Sequence, residues 1–190
     1  MKKISFLALV LAISTTVLAQ PPKFGLKGGI NLARTNNTVG GESGTKLGLN
    51  LGALSHIHLS PNFSLQPEIY YSGQGGEVGD VELALNYINV PVQVQYNFDN
   101  GFRLQTGPQV GFLVDVSDNY DAFTSDDFKS TDVSWTFGIG YLTYSGFGID
   151  GRYNLGLTKI NDVGTGKTTN RVFQIGVFYL FDSQHKAKSR

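Results

Sequence analysis

From Phe24 to Phe181 the chain is written in runs of alternating apolar and polar residues. Gln174 to Phe181 is the clearest of them: Ile175, Val177, Tyr179 and Phe181 share one face of an extended strand, with Gln174 and Gly176 on the other, because side chains alternate with period 2. Seven earlier segments repeat the pattern. Phe24, Leu26, Ile30 and Leu32 oppose Lys27, Gly29 and Asn31, and Leu47, Leu49, Leu51, Ile57 and Leu59 oppose Lys46, Asn50, His56 and His58. Phe63, Leu65, Ile69 and Tyr71 face away from Ser64, Gln66, Glu68 and Ser72, as Ile88 to Tyr96 (even positions) do from Asn89, Gln93 and Gln95. Phe102, Leu104, Val110, Phe112 and Val114 oppose Arg103, Gln105, Gln109 and Asp115. Val133, Trp135, Phe137, Ile139 and Tyr141 oppose Ser134, Thr136, Gly138 and Gly140, and Phe147, Ile149, Tyr153 and Leu155 oppose Asp150, Arg152 and Asn154. No helical period competes with this alternation.

The connections alternate in length as well. Long polar ones run over 35–44, 74–81, 118–131 and 158–168, whereas Ser60-Pro61-Asn62, Asn97 to Gly101 and Ser145-Gly146 are short. Short periplasmic turns and long external loops are the habit of an outer-membrane barrel, and a soluble sandwich has no reason to keep it. Phe24, Phe63, Tyr96, Phe102, Tyr141, Phe147, Tyr179 and Phe181 all fall at the short-turn ends of segments, where an interfacial aromatic girdle belongs. The apolar face is therefore read as facing lipid and the polar face as lining a lumen. The fold expected is all-β: one eight-stranded antiparallel up-and-down transmembrane β-barrel.

Composition changes the picture in three places. Met1 to Gln20 carries Lys2 and Lys3, an apolar run and Val17-Leu18-Ala19, the form of a secretory signal peptide cut between Ala19 and Gln20. The division expected is a signal peptide over 1–19, a barrel domain over 20–181 and a polar periplasmic tail over 182–190. With no cysteine, the chain can form neither a disulfide nor a lipid anchor through that residue, so the sheet must carry its stability. Fifteen basic and fifteen acidic residues leave no net charge to favour nucleic acid, and 24 glycines beside 22 Phe and Tyr favour strands over helices.

Eight strands enclose little more than their own side chains. A plugged lumen is expected, in which Lys27, Lys46, Arg103 and Arg152 pair with Glu68, Asp150 and neighbouring amides, since buried charge must be paired. The short turns suggest registers: Leu59 with Phe63, Tyr96 with Phe102, and Tyr144 with Gly148, which bring His58 to Ser64 and Gln95 to Arg103. Pro67, Pro91 and Pro108 lie inside strands that offer them no free edge, so a bulge is expected where Pro91 and Pro108 meet. Leu83 and Leu85 stand out of phase with Ile88 to Tyr96 and mark an irregular outer end of that strand.

Other chemistry is weak. His56 and His58 share a face but lack a third ligand, so no metal site is expected. A hydrolase built on Ser55 or Ser64 with those histidines and Glu68 fails because Ser55 faces lipid, and the chain is read as not an enzyme. Asp118, Asp121, Asp126 and Asp127 match no calcium loop and read as a solvated external loop, and Gly40-Gly41 and Gly75-Gly76 as loop punctuation. No cofactor is implied.

The stretches Phe24 to Ala33, Tyr87-Ile88-Asn89-Val90-Pro91, Thr106-Gly107-Pro108, Gly138-Ile139-Gly140-Tyr141 and Tyr153 to Leu157 together resemble the PorT-like, or porin-family, outer membrane β-barrel proteins of Bacteroidota. That resemblance implies an outer-membrane barrel without one shared activity. The segment Gln174, Gly176, Tyr179, Phe181 also resembles the signal by which barrel assembly machinery recognises its clients; many such barrels end on the last aromatic, whereas this chain continues to Arg190. The function expected is a monomeric structural or interaction barrel acting through its external loops. Alternatives are a secretion- or transport-accessory barrel working with secretion components, a small narrow porin, or a lipid-modifying enzyme. Its expected surroundings are outer-membrane lipids.

Overall fold

The computed structural model describes residues 21–78, 81–120, 124–162 and 166–181. The cleavage site at Ala19 and Gln20 and the tail over 182–190 lie outside them. Eight long strands follow one another around a closed sheet: β1 (Lys23–Asn37), β3 (Lys46–His58), β4 (Phe63–Val78), β5 (Val81–Asn97), β6 (Phe102–Asp118), β7 (Thr131–Leu142), β8 (Phe147–Gly156) and β9 (Thr168–Leu180). A two-residue strand, β2 (Gly41–Glu42), adds to the end of β1. Every neighbour is antiparallel, and β9 pairs with β1 from Leu180 opposite Gly25 to Thr168 opposite Asn37. That last pairing closes the barrel, so none of the eight long strands is left as an edge of the sheet.

The period-2 pattern decides which face looks out. Phe24, Leu26, Leu49, Ile69, Leu104, Phe137, Ile139 and Ile175 are exposed, while Lys27, Asn31, Gln66, Glu68, Gln93, Arg103 and Arg152 are buried. This inverts a soluble barrel. The outward apolar run covers nine residues from Phe24 to Leu32 on β1, from Phe63 to Tyr71 on β4 and from Phe173 to Phe181 on β9. That height suits a tilted strand crossing a bilayer. Its lower rim is the aromatic girdle: Phe63 packs edge-on to Tyr96 at 5.2 Å between centroids, Phe102 to Tyr141 at 5.5 Å and Tyr179 to Phe181 at 6.1 Å.

Three hairpins close the turn end. The β3–β4 register pairs His58 with Ser64 and Leu54 with Glu68, as its turn implies. The other two sit two residues away from the expected registers, with Gln95 opposite Gln105 and Arg152 opposite Gly138. The cause is the same in both. Phe98 receives a bond from Gly101 N and closes on Phe102, Thr143 receives one from Gly146 N and closes on Phe147, and both third-position glycines have positive φ (90° and 86°). Such a three-residue loop needs a left-handed residue at its last position, which glycine supplies. A two-residue shift keeps parity, so every side chain stays on its expected face.

Two other expectations change. The stretch 74–81 is not a long loop: β4 continues to Val78 and β5 starts at Val81, with Gly75 opposite Ala84 and Gly76 opposite Leu83. The bulge is not at the prolines either. Near Pro67, Pro91 and Pro108 the ladder lapses for a residue or two and resumes in the same register. The register shifts where Asn86 faces Asp115 and Tyr87 faces Leu113, leaving Val114 as the extra residue of β6. That insertion turns both Leu113 and Val116 toward the interior. Leu83 and Leu85 do not make β5 irregular; with Tyr87 they lie in phase on its inner face.

Candidate functional site: the filled lumen

Side chains fill the lumen in three layers. The central one is polar and organised around Glu68 on β4, which is buried. Its carboxylate accepts Lys27 Nζ from β1 at 2.9 Å, Gln66 Nε2 at 2.7 Å, and both Nη atoms of Arg152 from β8 at 2.7 Å each. Arg152 also donates to Asp150 Oδ2 at 2.9 Å. Arg103 on β6 donates to Gln66 Oε1 at 3.4 Å and lies over the Phe178 ring, 4.1 Å from its centroid. Lys46 is not part of this layer: it sits at the loop-end rim, in an ion pair with the half-exposed Glu82.

Glycines on β7 make room for the two arginines. A Cβ on Gly138 would stand 2.9 Å from Arg152 Cγ and 3.0 Å from Gln105 Cγ; one on Gly140 would stand 2.9 Å from Arg103 Nε. Long side chains from β6 and β8 therefore cross above the two inward positions of β7 that carry no side chain. Toward the loop end the layer continues through amides. Tyr70 OH donates to Gln109 Oε1 at 2.7 Å, Gln174 Nε2 to Asn31 Oδ1 at 3.0 Å, and Asn31 Nδ2 to Ser72 Oγ at 2.9 Å. Gln174 is thus a lumen residue, Gly176 faces in beside Asp150, and Tyr179 and Phe181 face out in the girdle.

Apolar plugs cap this layer at both ends, and the sequence pattern alone had not assigned them. At the loop end Leu83, Leu85 and Tyr87 of β5 pack against Phe128 and Ile160, which come from the β6–β7 and β8–β9 connections. Lys129 N donates to Ile160 O at 2.7 Å and Asp162 N to Asp127 O at 2.9 Å, tying those connections together. A short 3-10 turn, Ser125–Asp127, is held by Thr124 N donating to Asp127 Oδ2 at 2.8 Å. Asp127 therefore caps its own turn, Asp118 accepts from Tyr120 N at 2.8 Å, and Asp121 lies outside the described residues. At the turn end Leu54, Phe178 and Leu180 cluster with Leu142. The readable trace of both plugs was apolar residues on the polar face: Leu83 and Leu85 on one segment, Phe178 and Leu180 on another.

His56 and His58 stack edge-on at 4.7 Å, and no group of three metal-ligating side chains occurs among the described residues. Ser64 donates to Gln95 Oε1 at 3.1 Å and accepts from Asn97 Nδ2 at 2.9 Å, so its hydroxyl is held by amides.

A closed eight-stranded antiparallel sheet, apolar outside and polar within, defines an outer-membrane β-barrel. Residues 18–162 match the family described as Outer membrane protein beta-barrel domain. The chain belongs to that family, and it resides in the outer membrane; the match does not single out a PorT-like branch. Among solved structures it is similar to Neisserial surface protein A, with a TM-score of 0.61 at 12% identity, and to Ail, the attachment invasion locus protein of Yersinia pestis, with a TM-score of 0.54 at 12% identity. Each likeness covers 85% of this chain and 100% of the other, and at that identity it speaks for the fold alone. No curated protein matches the chain.

Proposed function

We propose that this is a closed barrel, acting without catalysis as a structural or interaction protein through the surface at its loop end. One observation carries the reading: both mouths of the lumen are filled by apolar clusters, Leu83, Leu85, Tyr87, Phe128 and Ile160 at one and Leu54, Phe178 and Leu180 at the other, over a buried ion-pair layer. A solute crossing would have to part both clusters and break the Glu68 pairs. Breaking one partner of a buried pair costs about 3–5 kcal/mol, which makes spontaneous opening rare. At the loop end the groups in contact with the medium include those of the β1–β3 connection as well as the tied β6–β7 and β8–β9 connections.

Single-channel recording of the purified protein in planar bilayers is the test. The expected trace is flat, and a steady open conductance overturns the closed-barrel reading in favour of a narrow porin.

A further inference from the structure

Just beyond the apolar belt at the loop end, the lipid-facing charges are unevenly spread around the barrel. The first outward positions past the belt are Gly73 on β4, Asn86 on β5, Asp115 on β6 and Thr131 on β7. On the opposite side they are Arg34, two residues past Leu32 on β1, and Arg171, two residues before Phe173 on β9. These two arginines are direct cross-strand partners. Like charges set opposite one another weaken a sheet.

One carboxylate stands between them. Glu42, on β2, accepts Arg171 Nη1 at 2.5 Å and lies 3.8 Å from Arg34 Nη1; Arg34 and Glu42 are exposed and Arg171 partly so. Two cations against one anion leave an excess positive charge, and exposed pairs of this kind add little stability. Holding Glu42 therefore does not account for two arginines at one register position. Arg34 Nε donates to Thr45 Oγ1, whereas Arg171 Nε, closed off from solvent, has no partner among the described residues. A third cation lies on the same arc: exposed Lys167 donates to the carbonyl of Leu157, an outward apolar residue past the end of β8.

The height of this cluster names its ligand. Lipid phosphates lie immediately outside the hydrocarbon layer, and guanidinium forks match phosphate oxygens two at a time. With the long connections outside, as in barrels of this kind, the leaflet concerned is the outer one. We propose that Arg34 and Arg171, with Lys167 beside them, hold the phosphate of an anionic outer-leaflet lipid whose acyl chains run down over Leu32, Ile30, Phe173 and Ile175.

The test uses the full chain folded in detergent and native mass spectrometry, with phosphorylated lipid A, its dephosphorylated counterpart, and inorganic phosphate as competitor. Phosphorylated lipid should be retained about tenfold or more over the dephosphorylated form, and Arg34→Gln with Arg171→Gln should erase the difference. Glu42→Gln should strengthen retention, because it removes the anion that competes for Arg171; unchanged or weaker retention counts against the proposal. Equal retention of both lipids by the native chain overturns the proposal, as does undiminished retention by the double variant. Complete competition by inorganic phosphate overturns the lipid assignment. If the double variant does not fold, Arg171→Gln alone and the native comparison of the two lipids still decide.

Discussion

Arg152 grips Glu68 with both ends of its guanidinium, each Nη–Oε distance being 2.7 Å, across a lumen that separates the two residues by 84 positions in sequence. The same carboxylate neutralises Lys27. Replacing Glu68 by Ala leaves two buried cations facing each other, and the unfolding free energy should fall by about 3–5 kcal/mol. Glu68→Met with Lys27→Met should lose less than Glu68→Ala alone, because that anion and one of its cations leave together while Arg152 keeps Asp150. Urea titration followed by heat-modifiable migration on gels checks both.

Gly148 is the tightest glycine near the turn end: a Cβ there would lie 1.9 Å from Phe178 Cζ. Gly148→Ala should therefore push Phe178 out of its place under Arg103 and lower stability by about 1–3 kcal/mol. Adding Phe178→Leu should recover part of the loss, since a smaller side chain vacates the contact. A rescue of this sign, read by thermal unfolding, distinguishes a packing clash from a general intolerance of β8.

At Gly176 the packing argument runs the other way. A Cβ would meet Gly28 O at 3.1 Å and Asp150 Oδ1 at 3.5 Å, a modest crowding, and Phe181 lies exposed beside Tyr179. Gly176→Ala and Phe181→Ala should thus leave the folded barrel nearly unchanged in detergent. If the segment is read by the assembly machinery, both should still reduce the amount inserted in cells. Unchanged insertion refutes that reading while leaving β9 as the closing strand.

The lipid-facing assignment can be tested at Val177, the middle of the outward run from Phe173 to Phe181, opposite Ile149 on one side and Gly28 on the other. Val177→Lys should cost about 2–4 kcal/mol in a bilayer, as for a cation near the midplane, while Arg171→Lys at the rim should cost almost nothing. Folding equilibria measured in lipid vesicles give both numbers.

How far these features were readable depended on the distance over which the chain expresses them. Strand faces rest on a period of 2, so the outward run from Phe24 to Leu32 and the inward Lys27 and Asn31 follow from adjacent residues. Hairpin parity was equally local, but its register was not. Whether Asn97 to Gly101 closes with five residues or three depends on Gly101 taking positive φ, which composition permits without requiring. Val114 could not be recognised as a bulge, because the inward placement of Leu113 and Val116 is meaningful only once Phe128 and Ile160 reach the mouth from later connections. The stretch 74–81 looked like a loop because its glycines and acids are poor strand formers; pairing with β5 overrode that tendency. Lys46 shared a face with Lys27 but not a height, and height in a tilted barrel depends on the stagger of all eight strands.

The loop-end plug also depends on closure of the sheet. Phe128 belongs to the connection between β6 and β7, and Ile160 to that between β8 and β9, yet both come to rest on β5. Until β9 has joined β1, the nascent sheet is an open trough with no mouth for them to stop. In the closed barrel the plug therefore joins three parts of the chain that no hairpin brings together, and it stands between the external medium and the charged layer around Glu68.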